Sequence, residues 1–154
     1  MKKMTVFLLL IALLCGAASA KGAQDQNKAA QAMVSMGFFQ AADRLQQPVT
    51  RAEAVTMVVR MLGLEQAVEN VKAQPSFEDV PVSHWAYGAV HVMERMGIIG
   101  GITKTAFAPS QAVTFEQFVK MLVAAVNYDI MAQEKGGYPT GYLTVARDCL
   151  LYTS

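Results

Sequence analysis

Cysteine is almost missing from this chain, and its two copies lie near the edges, at positions 15 and 149. Cys15 falls inside what reads as a leader. Lys2 and Lys3 precede an apolar run from Val6 to Leu14, and Ala18-Ser19-Ala20 has the small-x-small pattern of signal-peptidase cleavage. Residues 1–20 are therefore expected to be a signal peptide, because the run is too short for a comfortable bilayer span. Leu14 is not the small residue that normally precedes a lipidated cysteine. Cys149 opens Cys149-Leu150-Leu151-Tyr152-Thr153-Ser154, which can be encoded by a string matching the transposase mosaic end used in sequencing libraries. Residues 149–154 are accordingly expected to be an adaptor-derived tail on a truncated gene. The segment between the two edges has no cysteine, which excludes a disulfide, a thiol nucleophile and a Cys-based metal site within it.

Charge of one sign is also lacking. The formal net charge is +1, and losing Lys2 and Lys3 with the leader makes it −1. Without a Lys/Arg cluster to neutralise phosphates, nucleic acid is an unsuitable partner. The mean hydropathy of +0.28 is inflated by the leader, and no membrane span is expected after cleavage. The two histidines, His84 and His91, stand seven apart with no carboxylate or cysteine patterned around them, so no metal site is expected. Glu78 and Asp79 are adjacent, point apart, and do not make an acid/base pair. No Ser/His/Asp, Cys/His or phosphate-loop constellation occurs, so the reading is of a non-enzyme with no catalytic residue and no cofactor.

What is present is a repeat. Ala29–Gly37 aligns with Ala89–Gly97 at an offset of about 60, and Val49–Gly63 with Val113–Asn127 at about 64. A third copy begins near Tyr138, where Gly141–Asp148 lies over Gly88–Arg95 at about 53. Units of this length imply one supersecondary element each, stacked on its neighbours. Each reads as helix–loop–helix. In the second unit a helix is expected from about Trp85 to Met96, with Ser83 as N-cap and Gly97 as its stop. Its apolar stripe would be Trp85, Ala89, Val92, Met93 and Met96. A loop from Ile98 to Ala112 follows, with Gly100-Gly101, one buried aromatic at Phe107, and Pro109. Thr114-Phe115-Glu116-Gln117 is a capping box, in which Gln117 reaches back to the Thr114 amide. Phe115, Phe118, Val119, Leu122 and Val126 make the stripe behind it. Thr50-Arg51-Ala52-Glu53 is the matching box in the first unit, with Val55, Val58, Val59 and Leu62 as stripe and Gly63 as stop. The methionines read as core filler. Glu65–Gln74 reads as a helix tail and linker.

Phe77-Glu78-Asp79-Val80, His84-Trp85-Ala86, Gly97-Ile98-Ile99-Gly100, Phe107-Ala108-Pro109 and Thr50-Arg51-Ala52-Glu53 together resemble the signature of S-layer-homology domains. The likeness runs from about Ala29 to Asp148. It implies an all-α fold of helix–loop–helix repeats in a pseudo-three-fold bundle with the third repeat truncated. The organisation is then a leader at 21–28, a degenerate repeat with its linker at 29–74, a second repeat at 75–134 and the start of a third at 135–148. No copy is complete: the first lacks the F-x-D-V and H-W-A front, and the second has Phe115-Glu116-Gln117 where the family has Arg-Ala-Glu.

The family usually binds secondary cell-wall polysaccharide, often pyruvylated, in grooves between repeats, on the surface of Gram-positive-type bacteria. An Arg fork suits the ketal carboxylate in a way that Lys cannot imitate. Carried over position by position, Arg51 is the anion clamp, Trp85 the stacking platform, Asp79 a hydroxyl acceptor or positioning group, and Gly100 a point of close backbone approach. One groove is expected to hold this set, the next having Phe115 and Tyr138 in place of Arg and Trp. Thr50, Glu53, Thr114 and Gln117 are assigned to capping. The implied function is non-covalent anchoring at the cell surface through cell-wall polysaccharide, with other S-layer or envelope proteins as further partners. The alternative is a structural or protein-interaction module that keeps the fold after losing the sugar.

Overall fold

The computed structural model describes residues 31–32, 34–35, 47–73 and 76–151. The chain divides into two compact units, Val49–Val145 and a second made of Met1–Pro48 with Ala146–Ser154. In the second unit residues 31–32 and 34–35 are helical, which touches the first expected helix; the rest of Ala29–Gly37 and all of residues 1–28 lie outside the described residues. Ala146–Leu151 forms a π-helical segment, within which Arg147 Nε and Asp148 pair at 3.0 Å.

The Val49–Val145 unit is all-α among its described residues. Its helices are α1 (Arg51–Leu62), α2 (Glu65–Glu69), α3 (Tyr87–Arg95), α4 (Phe115–Ala125), α5 (Asp129–Glu134) and α6 (Thr140–Val145). Helix α1 packs on α3 and α4, α2 on α3, and α4 and α5 on α6.

Both capping boxes form. Thr50 accepts from the Glu53 amide and Glu53 from the Thr50 amide; Thr114 and Gln117 do the same. Each satisfies two amides that a helix start leaves without intrahelical partners. The chain then leaves both helices in the same way. Gly63 takes φ 69°, and Asn127 at the aligned position takes φ 66°. Gly and Asn are the residues that adopt the left-handed conformation at least cost. That kink is why Glu65–Glu69 is a separate helix rather than the expected tail of α1, and why α5 recurs after α4. Gly88 and Gly141 repeat a second device. A Cβ on Gly88 would lie 2.5 Å from the Val68 carbonyl oxygen, and one on Gly141 would overlap that of Ala132. Each glycine thus lets a main helix close against the short helix before it.

Helix α3 corrects the sequence reading. It starts at Tyr87, not Trp85, and Ser83 does not cap it. The preceding residues form tight turns instead: the His84 amide donates to Pro81 O at 2.8 Å, the Tyr87 amide to His84 O at 2.9 Å, and the Ala86 amide to His84 Nδ1 at 3.1 Å. The turns rotate the helix. Tyr87, Gly88, Ala89, Val90 and Met93 are buried, while Trp85 and Met96 are exposed. The α1 and α4 stripes hold with small shifts. Val55, Val58, Val59, Phe118, Val119 and Leu122 are buried, Leu62 and Phe115 are half-buried, and Val126 reaches solvent. Met57, Met93 and Met121 are core residues. Each large apolar side chain buried here contributes about 1.5–3 kcal/mol.

The start of α1 and the loop before α4, assigned by the sequence to the first and second repeats, are joined through their backbones. The Arg51 amide donates to Gln111 O at 2.8 Å, the Ala52 amide to Pro109 O at 3.0 Å, and the Val113 amide to Val49 O at 2.8 Å. The loop of one repeat therefore occupies the first free amides of the other repeat's helix.

Candidate functional site

The F-x-D-V turn and the F-x-P turn build one wall together. Phe77 and Phe107 are buried against each other with ring centroids 5.6 Å apart. The Glu78 amide donates to Thr105 O at 2.9 Å. Asp79 accepts from the Phe107 amide at 2.9 Å and the Ala108 amide at 2.7 Å. Ala108 has φ 58°, a strained value for a residue with a Cβ. Both Asp79 carboxylate oxygens are thus committed to holding a strained turn.

Arg51 lies on top of that turn. It is the first residue of α1 and only 5% exposed. Its Nε donates to Phe107 O at 2.8 Å and its Nη2 to Gly100 O at 3.0 Å, and the guanidinium sits 4.5 Å over the Phe107 ring. Burial pushes the guanidinium below its ordinary pKa, and the nearby Asp79 charge opposes that shift. The Nε/Nη2 edge is spent on the protein. Of the five N–H donors of a guanidinium, those on the end-on edge have no partner among the described residues.

A cleft of about 220 Å³ opens beside Arg51. Its floor is the Ile98–Ile102 loop; Gln117, Lys120 and Met121 of α4 form one side, and Tyr138 the rim. Among the described residues, two cations and no carboxylate line it. The Lys120 Nζ stands 5.7 Å from the Tyr138 ring centroid and 5.8 Å from that of Tyr142, an aromatic setting that steadies an ammonium. Tyr138 is half exposed. Gly100 takes an ordinary negative φ, and a Cβ built there meets nothing within 4 Å. No local strain or packing requires glycine at that position.

Of the residues assigned from the resemblance, Arg51 and Gly100 come together here, with Gln117 serving both the capping box and the cleft wall. Asp79 stands behind the wall, accepting from the Phe107 and Ala108 amides. Trp85 is elsewhere. It is 65% exposed, stacked on His84 at 5.7 Å, and not part of the cleft lining. The aromatic at the Arg51 cleft is Tyr138, its counterpart in the next repeat. The offset of about 53 marks Tyr138 in the sequence, and the resemblance sets it beside Phe115 rather than Arg51. Lys120 was missed; it is one turn beyond Gln117 on α4, and that spacing on the polar face was the available signal. Among the described residues no group of three or more His, Cys, Asp or Glu could hold a metal ion, and no helix is long and apolar enough to cross a membrane.

Residues 76–119 match the family described as the S-layer homology domain. The "Cell surface protein" of Thermoanaerobacter kivui is 35% identical over 103 residues, 66% of this chain and 13% of that protein. The "Middle cell wall protein" of Brevibacillus brevis is 33% identical over 100 residues, 65% of this chain and 9% of that protein. The "Cellulosome-anchoring protein" of Acetivibrio thermocellus is 29% identical over 83 residues, 54% of this chain and 17% of that protein. The chain therefore spans a small fraction of the length of the curated relatives it matches. No solved structure matches it significantly.

Proposed function

Taking residues 76–119 as an S-layer homology domain, we propose that this chain is a cell-surface anchoring module whose cleft grips an acidic cell-wall saccharide. The relatives are named as surface, cell-wall and anchoring proteins, which supports the location and the non-enzymatic role. The observation that carries the ligand class is the cleft itself: Arg51 and Lys120 with no acid, beside a half-exposed tyrosine ring and an open backbone at Gly100.

The chemistry follows from these parts. A sugar carboxylate, such as that of a pyruvyl ketal, meets the Lys120 ammonium and the end-on edge of Arg51 in charge-assisted hydrogen bonds. The pyranose face lies on Tyr138, and Ile98, Ile99 and Met121 receive apolar parts of the ligand. Gln117 and the Gly100–Gly101 backbone supply polar contacts. Other envelope proteins remain candidate partners through the exposed surface.

A second reading is favoured by one observation. The Nε/Nη2 edge of Arg51, the better fork for a carboxylate, is already spent on two carbonyls. A module that has lost its sugar and keeps Arg51 as a structural bolt would look the same at that residue. Retention of the purified protein on cell walls with and without the pyruvyl group separates the two. Sugar binding predicts that retention falls in the wild type when the pyruvyl group is removed, and falls for Lys120→Ala on intact walls. Equal retention in all arms would leave only the structural module.

A further inference from the structure

Away from the cleft, α3 carries a polar pair that the anchoring reading does not use. His91 Nδ1 and Glu94 Oε2 are buried and have no hydrogen-bond partner among the described residues. Both residues line one small, partly open cavity of about 10 Å³, together with Ser76, Phe77 and Val80 of the preceding turn and with Tyr87 and Val90. Tyr87 cannot serve them, because its hydroxyl donates to Ala73 O. Its ring instead lies 5.9 Å from the His91 ring.

We propose that this cavity is the site of a single structural water that bridges His91 Nδ1 and Glu94 Oε2. Size decides the class of guest. A cavity needs roughly 10–15 Å³ to hold one water, and this one is at that limit. A divalent ion would find only two strong ligands where zinc takes four. Chemistry points the same way. With the proton on Nε2, His91 and Glu94 present two acceptors, which the two O–H groups of a water satisfy. With the proton on Nδ1, the same water accepts from His91 and donates to Glu94. Water therefore serves either tautomer, and a cation serves only one. Two buried polar atoms without partners are costly, which gives the bridge its energetic reason. Helix α3 runs through Gly97 into the Ile98–Ile102 floor of the cleft, so the bridge stiffens the element that carries that floor.

The test combines a high-resolution crystal structure, urea unfolding of His91→Phe, Glu94→Leu and the double variant, and unfolding with added zinc. Density for one water within hydrogen-bond distance of both atoms is the expected result. Each single variant is expected to reduce the folding equilibrium constant by roughly 5- to 30-fold, since it leaves the other polar atom short of a partner. The double variant should lose several-fold less than the product of the two, because the pair shares one bridge. A direct His91–Glu94 hydrogen bond, strictly additive losses, or a rise in midpoint with zinc would each overturn the proposal. None of these outcomes depends on sugar binding, so failure here leaves the anchoring proposal standing.

Discussion

Removing the Asp79 carboxylate tests whether the F-x-D-V aspartate is a structural clamp or a ligand residue. In the structure its two oxygens accept from the Phe107 and Ala108 amides, at 2.9 and 2.7 Å. Hydrogen bonds to a charged group contribute about 1.5–3 kcal/mol when buried, and the part-exposed position of these two argues for the lower end. Asp79→Ala also frees Ala108 from the contact that holds it at φ 58°, and leaves the buried Arg51 without its nearest countercharge. The expected loss is about 2–3 kcal/mol. For a domain of this size that corresponds to a midpoint fall of about 10–20 °C in thermal unfolding followed by circular dichroism. Asp79→Asn should fall between, since its amide can accept from one of the two donors but sets an N–H against the other. Ala108→Gly in the wild-type background should hold or gain stability, because glycine adopts the positive φ without strain. A midpoint for Asp79→Ala within about 2 °C of wild type, together with lost wall retention, would refute the clamp and make Asp79 a ligand residue.

Other consequences are equally direct. Gly141→Ala should destabilise by several kcal/mol in urea unfolding, because its Cβ would overlap the Ala132 carbonyl of a helix that cannot give way cheaply. Tyr142 is held by Asp129 and Gln133, and burial first, then the Asp129 hydrogen bond, pushes its pKa up to about 12. A raised folded-state pKa means that the stabilisation is whole below the ordinary tyrosine value of 10.0 and is lost as pH rises towards 12. Midpoints measured across that window should fall in the wild type and flatten in Tyr142→Phe. Glu116 is shifted the other way, below its ordinary value, by its own backbone amide and the Thr114 hydroxyl. Its contribution is present above the ordinary carboxylate range and lost on acidification, so Glu116→Gln should remove part of the acid dependence. Gly100→Val should leave the thermal midpoint nearly unchanged while lowering wall retention, since a Cβ there meets nothing within 4 Å and the added methyls would enter the cleft.

The helical architecture was legible because local rules govern it. Thr50 and Thr114 open helices wherever a capping box precedes an apolar stripe, and the Gly63/Asn127 equivalence marks two matching exits. The rest depends on contacts far along the chain. Trp85 reads as helical from its spacing, yet the Pro81–Tyr87 turns remove it from the helix and leave its ring in solvent. Periodicity cannot register a turn whose key acceptor is the side chain of His84. Arg51 is assigned from the resemblance as an anion clamp in a groove. Its burial is set by carbonyls at Gly100 and Phe107, which no local pattern around position 51 announces. The pairing of Arg51 with Tyr138 rather than Trp85 likewise depends on which repeat lies beside which, and the motif order does not contain that.

Arg51 meets two demands that conflict in part. As the first residue of α1 it places a cation at the positive end of a helix dipole, and it does so in a buried setting; both are unfavourable for charge. A lysine there would shed part of that cost by giving up its proton, and would lose the loop with it. The guanidinium keeps its charge, and its flat fork reaches Phe107 O and Gly100 O together while its face covers the Phe107 ring. Two neutral carbonyls offset the burial only partly, and Asp79 adds a countercharge from behind the wall. The remaining imbalance is on the cleft side, where Lys120 adds a second positive charge and no lining residue among those described is acidic. An anion in the cleft is the one addition that relieves both cations without breaking a bond to the loop. Under the proposed function, Arg51 would set the sign of the ligand while anchoring the floor, and Lys120 and Tyr138 would give it most of its grip.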